Sequence, residues 1–222
     1  MIQAVVFDFD GVLVESTEIK TDAFRSLFSD WPDFLDSIIQ YHLAHQGVSR
    51  YEKFRHIYRH ILKRPLSPNE EIELGKRFQA LVLERVVRAP WVPGALPCLE
   101  WCLSRSPLYL ASGTPQEELE RIIHQRAMER YFVAVYGSPR HKVDILKEIV
   151  LRSGAEPPAV VFVGDSRTDY ESAKVVGVRF VLRIKGSADG VMLGEGIPAI
   201  TKLTELASYL ESLDGSFGVC KR

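Results

Sequence analysis

Ala4-Val5-Val6-Phe7 is a short β-branched and aromatic run that stops abruptly at Asp8-Phe9-Asp10-Gly11. Similar runs recur at 108–111, 132–136, 159–163 and 178–182. Runs this short and this uniformly apolar read as strands covered on both faces, the pattern of a parallel sheet. Helical periodicity separates the later ones. In 116–128, Leu119, Ile122, Ile123 and Met128 share a stripe behind Thr114-Pro115, which serve as cap and first turn. In 141–152, Ile145, Leu146, Ile149 and Val150 face one way. Strands alternating with helices predict βαβ units and an α/β fold.

The stretch 15–88 breaks the alternation and reads as helices alone, around 16–28, 33–44, 50–62 and 68–88. Trp31-Pro32, Gly47 and Lys63-Arg64-Pro65 mark the loops between them. The organisation expected is a Rossmann-like parallel-sheet core made of 1–14 and 89–222, with an α-helical cap domain, 15–88, inserted after the first strand. Hinges are expected near 13–16 and 89–94, Trp91 is expected to pack, and the tail from Asp214 is expected to fray.

Composition limits what such a chain binds. Of 222 residues, 28 are Lys or Arg and 29 Asp or Glu, a net charge of −1. Nucleic acid as a partner would need a clustered basic excess, so a bound anion must be held by a local site. The cysteines, Cys98, Cys102 and Cys220, are odd in number and suggest no disulfide framework. No basic leader precedes the first strand, and no apolar run is long enough to span a membrane. The expectation is a cytoplasmic protein without membrane or nucleic-acid partners; oligomeric state is not legible.

In open α/β sheets ligands sit beyond the carboxyl ends of the strands. Asp8 and Asp10 follow the first strand, Ser112, Gly113 and Thr114 the second. Lys142 opens the helix after the third, and Asp165 and Asp169 follow the fourth. Acidic groups gathered on one rim repel unless a hard cation sits among them, and carboxylates with phosphate oxygens suit Mg²⁺. A carboxylate approaching a phosphate dianion meets the same obstacle: two unit charges ~4 Å apart cost ~4 kcal/mol at an effective dielectric of ~20. Lys142 and a metal could cancel that repulsion. Ser112 and the Gly113 N–H could hold a phosphoryl oxygen.

The stretch Asp8-Phe9-Asp10-Gly11-Val12-Leu13 resembles the first motif of the haloacid dehalogenase superfamily. Ala111-Ser112-Gly113-Thr114-Pro115 resembles the second, Gly137-Ser138-Pro139 with Lys142 the third, and Val163-Gly164-Asp165-Ser166-Arg167-Thr168-Asp169 the fourth. The resemblance implies a Mg²⁺-dependent phosphatase for a small phosphorylated metabolite. Asp8 would be the nucleophile that becomes an aspartyl-phosphate and a metal ligand. Asp10 would be the general acid/base, with its backbone carbonyl on the metal. Ser112, Gly113 and Lys142 would bind the phosphoryl group, and Asp165 would hold Mg²⁺ with Asp169 supporting it. Val12 stands where threonine is common and Glu15 where aspartate is usual; Arg140 is a reserve for Lys142.

The helical insert is similar to caps of the β-phosphoglucomutase-like and phosphoglycolate phosphatase-like subgroup. There the arginine of a stretch such as Gly47-Val48-Ser49-Arg50 grips substrate, which makes Arg50 a candidate contact, with Lys53 a turn on and Lys20 near the hinge. Ser49 is equally a plain N-cap. An intramolecular phosphomutase is the alternative activity, and a histidine usual in mutases where Lys20 stands counts against it. A non-catalytic phosphometabolite-binding module is a further alternative. So is a phosphonate hydrolase, for which no Schiff-base lysine is assignable. His56 and His60 have a zinc-compatible spacing but no evident third ligand. The basic run 50–63 carries Phe54, Ile57, Tyr58 and Ile61 at helical spacing, which makes its charges a wet face.

Overall fold

The computed structural model describes residues 1–185 and 196–214. Cys220 and the tail beyond Asp214 lie outside them. In chain order the elements are β1 (Ala4–Phe7), α1 (Thr17–Leu27), α2 (Pro32–Ala44), α3 (Arg50–His56), α4 (Pro68–Arg88) and α5 (Ala95–Leu103). They continue with β2 (Leu108–Pro115), α6 (Gln116–Gln125), β3 (Ala134–Ser138), α7 (Lys142–Ser153) and β4 (Val160–Gly164). The last are α8 (Arg167–Val176), β5 (Arg179–Arg183), β6 (Ala199–Ile200) and α9 (Thr204–Asp214).

The strands form one parallel sheet in the order β3-β2-β1-β4-β5-β6. β1 is central, and all four of its side chains are buried. Alternation along the strand divides them: Val5 and Phe7 enter the apolar layer shared with Leu99 and Leu206, Ala4 and Val6 the layer shared with Ile145 and Ile149. Both faces of the sheet are therefore covered, as the uniformly apolar runs require.

Three differences from the sequence expectation stand out. β2 continues through Ser112, Gly113 and Thr114 to Pro115, with its register against β3 slipping between Ala111 and Pro115. The irregular pairing keeps that glycine-containing turn within the sheet instead of in the following helix. The helix expected over 50–62 is α-helical only to His56; Leu62 N–H then reaches the Ile57 carbonyl, 2.8 Å away, and 57–61 form a π-turn. β6 has two residues, too few for any periodicity to mark.

The helices of 17–88 pack around an aromatic cluster. Phe24 lies 5.1 Å from Phe78 and 5.8 Å from Phe54 between ring centroids, and all three are fully buried. α4 starts at a capping box, Ser67 with Glu70, and ends before Pro90, whose ring forces Ala89 into extended backbone. The connections flanking these helices run side by side: Val92 N–H donates to the Leu13 carbonyl at 3.0 Å, and Glu15 N–H to the Pro90 carbonyl at 3.0 Å. Arg126 donates to the carbonyls of Val86, Val87 and Ala89 at 2.7–3.1 Å and stacks over half-buried Trp91. That satisfies the orphan carbonyls at the end of α4.

Candidate active site

Asp8 leaves the end of β1 buried, with Oδ1 accepting from Phe9 N–H at 2.7 Å and Oδ2 facing Lys142 Nζ at 2.9 Å. Lys142, at the first turn of α7, also pairs with Asp169. The other oxygen of Asp169 accepts from the backbone N–H of Ser166 at 3.1 Å and from its hydroxyl at 2.6 Å. This capping box opens α8 and fixes the carboxylate in one orientation. Asp165 sits on the turn between β4 and α8, close against Gly11. A Cβ at Gly11, whose φ is +76°, would collide with the Asp165 carboxylate, so the loop after β1 needs glycine to pass.

Asp8, Asp165 and Asp169 each bring a carboxylate oxygen within 4.8 Å of the others, with one ammonium, Lys142, beside them. Each such pair of charges costs ~3–4 kcal/mol at an effective dielectric of ~20. Burial pushes the Asp8 carboxyl up to about 7, against the pull of Lys142, and pushes Asp165 well above the ordinary carboxylate range with Asp8 and Asp169 adding to it. The cluster lacks positive charge, and its donors are all oxygen. That set fits a hard divalent cation.

Asp10 stands apart from this cluster. Its oxygens take a hydrogen bond from Ser16 Oγ at 2.6 Å, one from Thr114 Oγ1 at 3.1 Å, and an ion pair with Lys20 at 2.5 Å. Burial alone would raise its pKa, but the Lys20 ammonium and the two hydroxyls hold it below the usual carboxylate range. Ser112 is buried, its oxygen accepting from Thr114 N–H at 3.1 Å. Arg140, the reserve cation, instead pairs with Glu148 at 2.5 Å on the surface.

The helical segment closes over this rim. Asp8, Asp10, Lys20, Arg50, Lys53, Gly113 and Asp165 line one cavity of about 60 Å³, roofed by Phe24, His42, Val48 and Phe78. At the contact, a Cβ on Gly113 would fall 2.5 Å from the Gly47 carbonyl oxygen, so the two loops touch backbone to backbone. Arg50 reaches across to the first turn of α6 and pairs with buried Glu118 at 2.5 Å.

Comparison with known proteins agrees with this geometry. Residues 2–177 match the haloacid dehalogenase-like hydrolases. The chain belongs to that family. A phosphoglycolate phosphatase of Synechococcus elongatus is 31% identical over 184 residues, covering 80% of this chain and 81% of the relative. A phosphorylated carbohydrates phosphatase of Thermotoga maritima is 26% identical over 96% of this chain and 100% of its own length. A haloacid dehalogenase-like family hydrolase of Streptococcus pneumoniae superposes with a TM-score of 0.71 over 94% of this chain and 98% of that one, at 19% identity, a likeness of fold.

Several residues at the site carry no motif signature within the family's pattern. Ser16 joins Thr114, a residue of the second motif, in holding Asp10; His42 and Phe24 form the roof, and Glu118 engages Arg50. Glu15, the departure from the usual aspartate, pairs with Arg183 at 2.5 Å and Lys185 at 3.1 Å. Arg183 also donates to the Gly11 carbonyl at 2.9 Å, tying β5 to the loop after β1. In the sequence the sign of it is an arginine directly after the apolar run 178–182. His56 and His60 stack in a ladder with Tyr41, and among the described residues they belong to no group of three metal-competent side chains.

Proposed function

We propose that this chain is a Mg²⁺-dependent phosphatase that hydrolyses small phosphate monoesters through an aspartyl-phosphate on Asp8. The observation that carries the reading is the buried Asp8 carboxylate held 2.9 Å from Lys142, with two further carboxylates at hand and Asp10 in the same cavity. Residues 15–88 act as a cap domain over a core of 1–14 and 89–222. The relatives named for phosphoglycolate and phosphorylated carbohydrates give the substrate range from which to start.

An Asp8 oxygen attacks phosphorus while the bond to the ester oxygen breaks, and that oxygen takes a proton from Asp10. Approach of a dianionic phosphoryl group raises the pKa of Asp10, which loads it with the proton it gives. Water then attacks the aspartyl-phosphate and loses its proton to Asp10, releasing phosphate and free Asp8. The salt bridge to Lys20 and the hydroxyls of Ser16 and Thr114 aim Asp10 for both half-reactions. Lys142, the Ser112 hydroxyl and the Gly113 N–H hold the phosphoryl oxygens. Asp8, Asp165 and the Asp10 carbonyl, with Asp169 behind, would hold Mg²⁺, which would supply the positive charge that the carboxylates lack. Closure of the cap keeps bulk water from the phosphoryl-enzyme.

Free phosphate released from a panel of phosphorylated metabolites, with Mg²⁺ and with chelator, tests the reading. Asp8→Asn is expected to lose at least about 10³-fold in kcat while still binding substrate. Isomerised product without phosphate release, or an active Asp8→Asn enzyme, would refute it.

A further inference from the structure

Phe180, Val181 and Leu182 of β5 are buried, and so is the arginine on which the strand ends, Arg183, at 4% exposure. Its Nη2 pairs with Glu15 Oε1 at 2.5 Å, and its Nη1 donates to the Gly11 carbonyl at 2.9 Å. Nε is buried and, among the described residues, has no hydrogen-bond partner. A buried ion pair that leaves a donor unsatisfied is often no more stabilising than apolar side chains of similar volume. Stability alone gives little reason for an arginine here. The reason lies in what it holds.

Arg183 holds the turn that carries Asp10. The N–H groups of Leu13 and Val14 return to the Phe9 carbonyl at 3.0 and 3.2 Å, and Gly11 N–H donates to the Val14 carbonyl at 2.8 Å. Residues 9–14 thus close on themselves and depend on anchors from elsewhere to sit in one place. Val92 N–H anchors the Leu13 carbonyl from the return connection, and Arg183 anchors the Gly11 carbonyl from the sheet. Gly11 has little slack, because the Asp165 carboxylate fills the space that a side chain would take.

The anchors differ in what they belong to. Ser16 and Lys20, which grip the Asp10 carboxylate, lie in the helical segment, and Val92 follows it. Arg183 is part of β5, so its hold on the turn does not depend on where the helices stand. We infer that Arg183, with Glu15 as its counter-charge, is a positioning residue for Asp10. It fixes the turn at the Gly11 carbonyl, so that the Asp10 carboxyl meets the ester oxygen when the helical segment closes. In that step the bond from phosphorus to the ester oxygen breaks, and the proton on Asp10 goes to that oxygen. This rests on the phosphatase reading above.

The leaving group separates aim from general integrity. Acetyl phosphate and ethyl phosphate are nearly the same size, but acetate departs without a proton and ethoxide needs one. Because kcat/KM reads the transfer to Asp8, only ethyl phosphate depends on the Asp10 proton there. In Arg183→Met the ratio of kcat/KM for ethyl over acetyl phosphate is expected to fall about 10- to 100-fold, the range for a misplacement of about 1 Å. Asp10→Asn sets the full loss, about 10²-fold or more. Arg183→Lys serves one acceptor in place of two, so its ratio lies between those of wild type and Asp10→Asn. That variant carries the comparison if Arg183→Met does not fold. Equal losses on both substrates, or a wild-type ratio in the folded variants, overturn the inference.

Amide exchange separates its failure from that of the phosphatase reading. On Asp8→Asn, with and without the Arg183 substitution, it follows the turn when nothing is turned over. Gly11, Leu13 and Val14 are expected to exchange faster without the arginine, while the β1 amides keep their protection. If wild type releases no phosphate from either substrate, the hydrolytic reading fails, and faster exchange in the turn leaves the hold on Asp10 standing. Unchanged exchange there removes it.

Discussion

At the scale of single residues, environment sorts chemically equal groups into different tasks. Asp8 and Asp10 are two positions apart, yet burial raises one and the Lys20 ion pair lowers the other. His42 offers a consequence measurable without substrate. The unfolded chain binds a proton on this histidine below about pH 6.5, whereas the folded protein holds it neutral down to about 2. Unfolding free energy therefore falls as pH falls through that window, by about 2 kcal/mol between pH 7.5 and 5 from this group. Urea midpoints of wild type and His42→Asn across that range should converge toward acid pH, the wild type losing more. Parallel lines would mean that the imidazole is protonated in the folded state.

Elements deliver these side chains by where they stop. β1 ends one residue before Asp8, β4 one residue before Asp165, and α7 begins on Lys142. The loop after β1 passes Asp165 only because Gly11 has no side chain. A comparable tight spot joins β2 to the segment between α2 and α3. A methyl on Gly113 would meet the Gly47 carbonyl at 2.5 Å, with no flexible side chain to yield. Gly113→Ala should fold with an intact sheet but close poorly. Because misplacement by about 1 Å costs up to ~10²-fold in rate, kcat/KM is expected to drop about 10- to 100-fold. Faster amide exchange around Gly47, with near-native thermal stability, would identify the cause as impaired closure.

For the whole molecule, the join between helical segment and sheet is polar as well as apolar. Arg50 and Glu118 are almost fully buried across it, and Arg126 clamps the end of α4. Removing one partner of a buried pair costs about 3–5 kcal/mol if the other stays buried. Glu118→Gln relieves that cost by letting the segments part. The expected result is a larger radius of gyration in solution scattering and faster exchange over 47–54, while the sheet amides keep their protection. An unchanged scattering profile with a lower unfolding temperature would mean that the joint does not open.

Much of this was legible in the chain itself. The apolar runs are covered strands because nothing else buries such short uniform stretches, and all five appear in the sheet with ends shifted by a few residues. The four helical patterns of 15–88 appear where periodicity and turn residues put them, apart from the π-turn after His56. Asp8, Asp10, Ser112, Lys142, Asp165 and Asp169 stand out as candidates in the sequence because polar groups at or just beyond the ends of buried strands contradict the pattern around them. Partnership was not legible. Arg50 and Lys53 are one helical turn apart with the same charge, and only the packed fold gives one a carboxylate and the other a neutral imidazole. Periodicity along the chain governs which face a residue takes, whereas the charge it meets there comes from segments tens of residues away and exists only once those segments have packed.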